Sequence, residues 1–199
     1  ATLAVDIEHV TVQVRQFAVV IPDIPQQVLE SITTAEAFFN TEGRFVVEQA
    51  IDQHVLAQIQ AASPPTSYVG ANLIEQVRNA IASMRAEGKN PDILVLSPAD
   101  AVALDLFKQP GTQDYMFATT VANGATPLWG LQVVEHGSDV APTLIDRTRL
   151  GVLYRGTLTV EANPYTGFRK NTVDLRFEVN AVFHVRDPQA AHQIVQPAG

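Results

Sequence analysis

Between Val173 and Val185 every odd-numbered position is apolar: Val173, Leu175, Phe177, Val179, Ala181, Phe183 and Val185. The even positions are Thr172, Asp174, Arg176, Glu178, Asn180, His184 and Arg186, interrupted only by Val182. A period of two predicts an extended strand with one greasy face and one wet face. The run is more than twice the common strand length of about 5–6 residues. Pro188, which has no N–H to give to a ladder, ends it. So long a strand suits a protein built for mechanical continuity between neighbours better than one built around a pocket.

Other stretches carry the same kinds of signal. Val5 to Val14 alternates, and Phe17, Val19 and Ile21 alternate in shifted phase, which predicts one long strand with a bulge near Arg15-Gln16. Ile21-Pro-Asp-Ile-Pro25 reads as a turn. From about Thr34 to Ala61 the period becomes helical, with Phe39, Val46, Val47, Ala50, Ile51, Val55 and Ile59 on one stripe. At about 1.5 Å per residue this helix is roughly 40 Å long, with Gly43 as a weak point prone to kink. Ser63-Pro-Pro-Thr66 stops it and forms the clearest linker.

A second unit follows. Leu73, Val77, Ala80, Ile81 and Met84 stripe a helix that ends at Gly88. Asp92-Ile-Leu-Val-Leu96 is a short buried strand. Ser97 then caps a helix with Pro98 in its first turn and Asp100 near its positive end. Residues 111–124 are polar and loop-like. Pro127 to Val134 turns into a strand, with Trp129 as a core plug at its start. Thr143 to Asp146 forms another strand, and Leu158 and Val160 lead through Asn163-Pro-Tyr-Thr-Gly167 into the long terminal strand. Residues 66–145 are therefore a unit inserted between the pieces of a first, elongated unit, 1–65 and 146–199. The class is α+β.

Composition narrows the functions. A chain of 199 residues with 46% hydrophobic and 17% charged content folds around a real core. No run approaches the roughly 18 to 20 apolar residues that cross a bilayer, and no signal sequence opens the chain, so the expectation is a soluble protein that is not exported. The start at Ala1, already in strand-like sequence, suggests a processed or truncated N-terminus. A net charge of −8 argues against a surface that grips phosphates, though not against one that encloses nucleic acid without sticking to it. The absence of cysteine excludes disulfides, thiolate zinc sites and cysteine nucleophiles.

Four features, taken in order, resemble the major capsid proteins of tailed bacteriophages, the Hong Kong 97-type fold. They are the long N-terminal strand followed by a long helix; Asn90-Pro-Asp-Ile-Leu-Val-Leu-Ser-Pro-Ala-Asp100; Pro127-Leu-Trp-Gly-Leu-Gln-Val-Val134; and Phe168-x-x-Asn171-x-x-x-Leu175-Arg176-x-Glu178 running to Arg186-Asp-Pro188. Together they cover nearly the whole chain. The resemblance implies a peripheral domain (1–65 and 146–199, with the spine helix and long strands) and an axial domain (66–145) that meets its copies at the capsomer centre. It also implies a structural head protein without catalysis or cofactor. By the same resemblance, copies would form hexamers and pentamers of an icosahedral shell around DNA held without sequence-specific binding. Scaffold, portal or decoration proteins would be further partners, no membrane would be involved, and the protein would reside in the virion after assembly in the host cytoplasm. Members of the family carry an N-terminal arm and a two-stranded extended loop, of which only the returning strand, about Ala1 to Ile21, is present here.

Candidate chemistry is sparse. His9, His54, His136, His184 and His192 show none of the paired spacings of metal ligands, so no metal is expected. His136 and Asp139, with Ser138 or Ser97, are the only candidates for a hydrolase, and they lack a nucleophile elbow. In some tailed-phage capsids an asparagine at the position of Asn171 is joined to a neighbour's lysine, with a glutamate at the position of Glu178 as base. Seven residues at about 3.3 Å each separate these two by roughly 23 Å, on opposite faces, so they cannot cooperate within one chain. The first lysine of the sequence is Lys89, well past the strand where the family places the donor. The bland reading, a turn asparagine and an ion-paired strand glutamate, is favoured. The nearest rival to a phage capsid is an encapsulin, a compartment of the same fold that holds enzymes.

Overall fold

The computed structural model describes residues 10–31, 33–63, 65–108, 128–137 and 140–195. In chain order the elements are β1 (Arg15–Pro25), α1 (Gln26–Ser31), α2 (Thr33–Ala62), β2 (Pro65–Thr66), α3 (Leu73–Ala86), β3 (Ile93–Leu96) and α4 (Pro98–Asp105). They continue with β4 (Gln132–Glu135), β5 (Thr143–Ile145), α5 (Arg147–Leu150), β6 (Gly151–Arg155), β7 (Thr159–Asn163), β8 (Thr172–Val185) and β9 (Ala191–Ile194). The described parts of 1–55 and 153–184 form one compact unit, and those of 56–152 and 185–199 form another. Among the described residues no helix is long and apolar enough to cross a membrane.

The first unit is organised by β8, which pairs antiparallel with β1 and β7 and neighbours β6 in a four-stranded sheet. Its odd positions are the buried ones, from Val173 through Leu175, Phe177 and Val179 to Ala181, as the period of two predicts. Val47 and Ile51 of α2 close over this face, and Phe17 and Ile24 of β1 join the same core. Phe177 is fully buried, and its ring fills the space where a side chain on Gly43 would stand: a Cβ there would lie 2.4 Å from the ring. Gly43 is thus a point of close approach, and α2 runs through it as one helix of 30 residues.

The structure corrects several expectations here. The irregularity in β1 lies between Ile21 and Ile24 rather than near Arg15-Gln16, because Pro22 has no N–H and Asp23 adopts φ 54. The segment 21–25 is therefore bulged strand, not turn. Val10 to Val14 is not in a strand, and residues 1–9 lie outside the described residues. On α2, Val46 is exposed, while Leu56, which the stripe left out, is buried.

The second unit holds a five-stranded sheet in the order β2-β9-β5-β3-β4. It is completed by β9 from the C-terminal end, where sequence reading placed no strand, and Pro65-Thr66 of the expected linker pairs with it as β2. Val77, Ala80, Ile81 and Met84 of α3 pack with Leu94, Leu96, Leu128, Leu131 and Leu144. The expected caps at Gly88 and Ser97 form, and Asn72 supplies a further one. The Asn72 side chain accepts from Glu75 N–H at 2.9 Å, and Gly88 at φ 76 ends α3, with Lys89 N–H reaching back to the Met84 carbonyl. The Ser97 hydroxyl accepts from Asp100 N–H at 3.1 Å. The expected loop over 111–124 lies outside the described residues.

Trp129 is not the core plug. It is 43% exposed at φ 53, and its neighbours Leu128 and Leu131 do the filling instead. Leu131 N–H donates to the Leu128 carbonyl across a tight turn in which Trp129 and Gly130 both have positive φ.

Two outcomes follow for the first unit. Alanine normally strengthens a helix relative to glycine by about 1 kcal/mol, but Gly43→Ala should lower the unfolding free energy by about 1–3 kcal/mol, the scale of overpacking. Phe177→Asp should prevent folding, since an unpartnered carboxylate in this core costs several kcal/mol. Denaturant titration checks both, and a stabilised Gly43→Ala would contradict the close approach.

Candidate functional site

The wet face of β8 is where sequence analysis placed its candidates. Asn171 ends a 3-10 turn over Phe168–Lys170 in the left-handed region, φ 54 and ψ 45, and its carbonyl accepts from Gln26 N–H at 3.0 Å. Glu178 sits half-buried in β8 opposite Ala18 of β1 and Thr159 of β7, with Arg176 3.4 Å away. Arg176 also holds Glu161 of β7 at 2.7 Å. No hydrogen bond among the described residues joins Asn171 to Glu178.

The loop between β7 and β8 is fixed from several sides. Asp174 accepts from Asp23 N–H at 2.9 Å and from the Thr166 hydroxyl, while Asp23 accepts from the Thr172 hydroxyl at 3.2 Å and faces Lys170 at 3.6 Å. The Thr166 hydroxyl first, then Asp23 N–H, hold the Asp174 carboxyl below its ordinary value. Gly167 packs against Thr172 so closely that a Cβ would stand 2.1 Å from its hydroxyl. This tethered loop displays Tyr165 and Phe168, 85% and 83% exposed. Asp174 therefore ties β8 to the bulge of β1 and to the β7–β8 loop.

Elsewhere in the first unit, Phe38 and Phe45 stand exposed one heptad apart on α2. A groove of about 830 Å³ runs between α2 and β7, lined by Ala37, Thr41, Arg44, Val160, Ala162 and Leu175. Arg44 is the only ionisable group among those residues, so nothing there can pass a proton between an acid and a base. The His54 Nδ1 lies 3.3 Å from an Arg15 guanidinium nitrogen, and Phe17 packs on the imidazole.

In the second unit the carboxylates of the Asn90-Pro-Asp and Arg186-Asp-Pro stretches act as pins. Asp146 is buried and accepts from Asn90 N–H at 2.9 Å, from Thr148 N–H at 3.0 Å and from the Thr148 hydroxyl at 2.5 Å. Burial by itself would raise its pKa, but the Thr148 hydroxyl and the backbone donors outweigh burial and hold the carboxyl low. Asp92 accepts from Arg147 N–H at 3.1 Å and pairs with its side chain at 2.6 Å. Asp187 pairs with Lys89, which holds its pKa down, and accepts from Gln189 N–H at 3.1 Å.

Among the described residues the remaining candidates do not assemble a reaction centre. The Ser97 hydroxyl is committed to its cap and donates to Asp100 at 2.8 Å. His136 is half-buried at the end of β4, its N–H on the Leu96 carbonyl, and Ser138 and Asp139 lie outside the described residues, as does His9. His184 is half-buried in β8. The most enclosed histidine among the described residues is His192 on β9, whose Nδ1 is hydrogen-bonded to the Tyr68 hydroxyl, with Glu87 3.8 Å from Nε2. Among the described residues no group of three or more His, Asp or Glu could hold a metal ion.

Bonded-up carboxylates, a sheet-and-helix core in each unit and exposed aromatics describe a structural protein. A model of the phage capsid family matches residues 2–195, and the chain belongs to that family. No curated protein matches it by sequence. Among solved structures it is similar to one from Microbacterium phage Oxtober96 (12% identity, TM-score 0.71, covering 92% of this chain and 73% of that one). It is likewise similar to one from Mycobacterium phage Adephagia (15% identity, TM-score 0.69, 94% and 74%). A third is a virus-like particle from Pyrococcus furiosus (11% identity, TM-score 0.63, 92% and 77%). The fold is the Hong Kong 97-type α+β capsid fold, and the protein is a non-enzymatic capsid shell protein of bacteriophage type. The hydrolase reading of His136 and Asp139 falls with that assignment.

The titration of these groups sets an acid limit. Burial first, and then Arg15, hold His54 below 6.5; burial, outweighing Glu87, does the same for His192. A lowered histidine contributes stability that is present above the unfolded value near 6.5 and is lost as pH falls below it. Asp146, Asp174 and Asp187 lie below 3.8, so their contribution is lost only as pH falls through that lower range. The unfolding midpoint should therefore fall in two steps, below about pH 6.5 and again below about pH 3.8. His192→Gln should shrink the first step, and a flat midpoint from pH 7 to 5 would contradict it.

Proposed function

We propose that the chain is the major head protein of a tailed phage or prophage, assembling as hexamers and pentamers into an icosahedral shell that encloses DNA. The observation that carries this reading is the family match over residues 2–195 on a fold whose described surfaces offer exposed aromatics and a groove. Residues 1–65 and 146–199 supply the peripheral domain and 66–145 the axial domain. The described parts of 56–65, 146–152 and 185–199 nonetheless pack with the second unit, β9 completing its sheet. Closed symmetry covers apolar surface that one copy leaves open. A net charge of −8 fits a container that holds DNA without gripping it. The chain acts in the virion after assembling in the host cytoplasm, with scaffold, portal or decoration proteins as further partners.

The likeness to a virus-like particle from Pyrococcus furiosus supports the second reading, an encapsulin shell. A terminase and portal beside the gene favour the phage capsid; a ferritin-like or peroxidase gene favours the encapsulin.

Electron microscopy of the expressed full-length gene product should show closed shells or capsomers; monomers under all assembly conditions would overturn the proposal. Denaturing gels of assembled material should show only monomer, because Asn171 is a turn residue whose carbonyl is taken by Gln26 N–H and Glu178 is held by Arg176. A ladder abolished by Asn171→Ala would show the cross-link instead.

A further inference from the structure

His192 lies inside the second unit, on a strand flanked by β5 on one side and β2 on the other, with its side chain 9% exposed. The groups around its ring serve a neutral imidazole. The Tyr68 hydroxyl is bonded to Nδ1, the Tyr68 ring stacks on the imidazole at 6.1 Å and 18°, and the Gln189 backbone gives a further hydrogen bond. Among the described residues the charged groups that face it are Glu87 and Lys89. Glu87, at the end of α3, lies 3.8 Å from Nε2 and is 43% exposed, while Lys89, just after α3, is already paired with Asp187. Neither β2 nor β5 brings an ionisable side chain.

A neutral imidazole has one donor and one acceptor, whereas the imidazolium has two donors and no acceptor. A second proton on the ring would therefore take away the acceptor that Nδ1 offers Tyr68. The hydroxyl would have to turn to Ser83 of α3 or Thr66 of β2, with which it also shares hydrogen bonds. The new charge would be opposed by burial and by the Lys89 ammonium, which together outweigh Glu87 and the Gln189 backbone and hold the ring below its ordinary value of 6.5. The cover over the ring is uneven. Helix α3 is anchored in the core through Val77, Ala80, Ile81 and Met84, and β5 pairs with β3 as well as with β9. Strand β2 has two residues at the edge of the sheet, and Pro65 has no N–H to give to β9.

We propose that His192 is an acid-operated latch: protonation of its ring releases Tyr68 and β2 from β9, opening residues 65–68 to water while α3, β3, β5 and β9 stay folded. Segments with few bonds open at free energies well below that of global unfolding, and the edge strand is such a segment. Water then solvates the charge that the closed site rejects. With the ring near 6.5 when open and lower when closed, acid favours the open form. The opening equilibrium gains up to about tenfold per pH unit below about 6.5, until the closed-state value is passed. Every group of the latch belongs to one unit of one copy, so the inference does not depend on the shell reading.

Hydrogen–deuterium exchange of the full chain reads the opening directly. It is followed by mass spectrometry from about pH 7.5 to about pH 5 and corrected for the intrinsic exchange rate. Peptides covering 65–70 should lose roughly three- to tenfold of their protection across that range, while peptides from α3 and β3 keep theirs. In His192→Gln, which stays polar but has no proton to gain, the loss should be absent. Protection over 65–70 that does not fall would overturn the latch. A fall shared equally by α3 and β3 would also overturn it, because His192 would then act on global stability alone. So would a His192→Gln chain that still opens with acid, since another group would be the trigger. If His192→Gln fails to fold, the comparison of 65–70 with α3 in the parent still decides.

Discussion

The first unit depends on one contact, the ring of Phe177 against the backbone of α2 at Gly43. Any side chain at that position would push helix and sheet apart, because a Cβ would meet the ring at 2.4 Å. With the ring seated, the phase of β8 is fixed: odd residues go under the helix and even residues go to the other face, and a slip of one residue would exchange the two sets. Val19 of β1 and Val160 of β7 both stand opposite Phe177, so the neighbouring strands take their register from the same point. The ion pairs of Arg176 with Glu161 and Glu178 lie on the wet face as a consequence. Exposed pairs of that kind are worth little on their own, about 0–1 kcal/mol, and cannot set the register that the buried ring sets.

Much of this was legible because it rests on periodicity and caps. The period of two found β8, and the three- and four-residue steps found α2 and α3. Asn171 and Glu178 came from family resemblance alone, and the structure finds them apart, one in a turn and one in an ion pair. Where reading failed, a tertiary or turn-level cause was at work. Ala191-His-Gln-Ile194 has no period to read; it is a strand because β5 and β2 lie on either side of it and because Gln193 reaches the Ser63 carbonyl at 2.6 Å. The break in β1 was sought where the alternation changed phase, but the backbone is broken by Pro22 and Asp23. Trp129 was read by its size, whereas the informative signal was Gly130 between two leucines, which marks a tight turn and puts the tryptophan at its tip.

The aspartates show why chemistry-bearing residues in this chain carry no chemistry. A catalytic carboxylate needs a free lone pair and a pKa near its working range. Asp146 has its oxygens occupied by Asn90 and Thr148, and its pKa is held below the ordinary value, the opposite of a poised acid. Asp187 is tied to Lys89 and Gln189 in the same way. Asn90 supplies the donor to Asp146, and Asp187 of Arg186-Asp-Pro binds Lys89 next to it, so both stretches have structural work to do without any substrate.

What the cores leave over is then the informative part of the molecule. Phe38 and Phe45 on α2, Tyr165 and Phe168 on a tethered loop, and Trp129 on a strained turn are exposed aromatics, and each sits on a support that the surrounding bonds hold fixed. Rigid display matters because a side chain already in place has less conformational entropy to lose on meeting a partner. A single such contact is weak, but in a closed assembly every copy makes it, and the contacts of one ring form cooperatively once the geometry closes. A shell protein can therefore keep each interface modest, remain a foldable monomer beforehand, and still yield a stable container. That division, with strong packing inside each unit and modest fixed aromatics outside, is the one this sequence encodes.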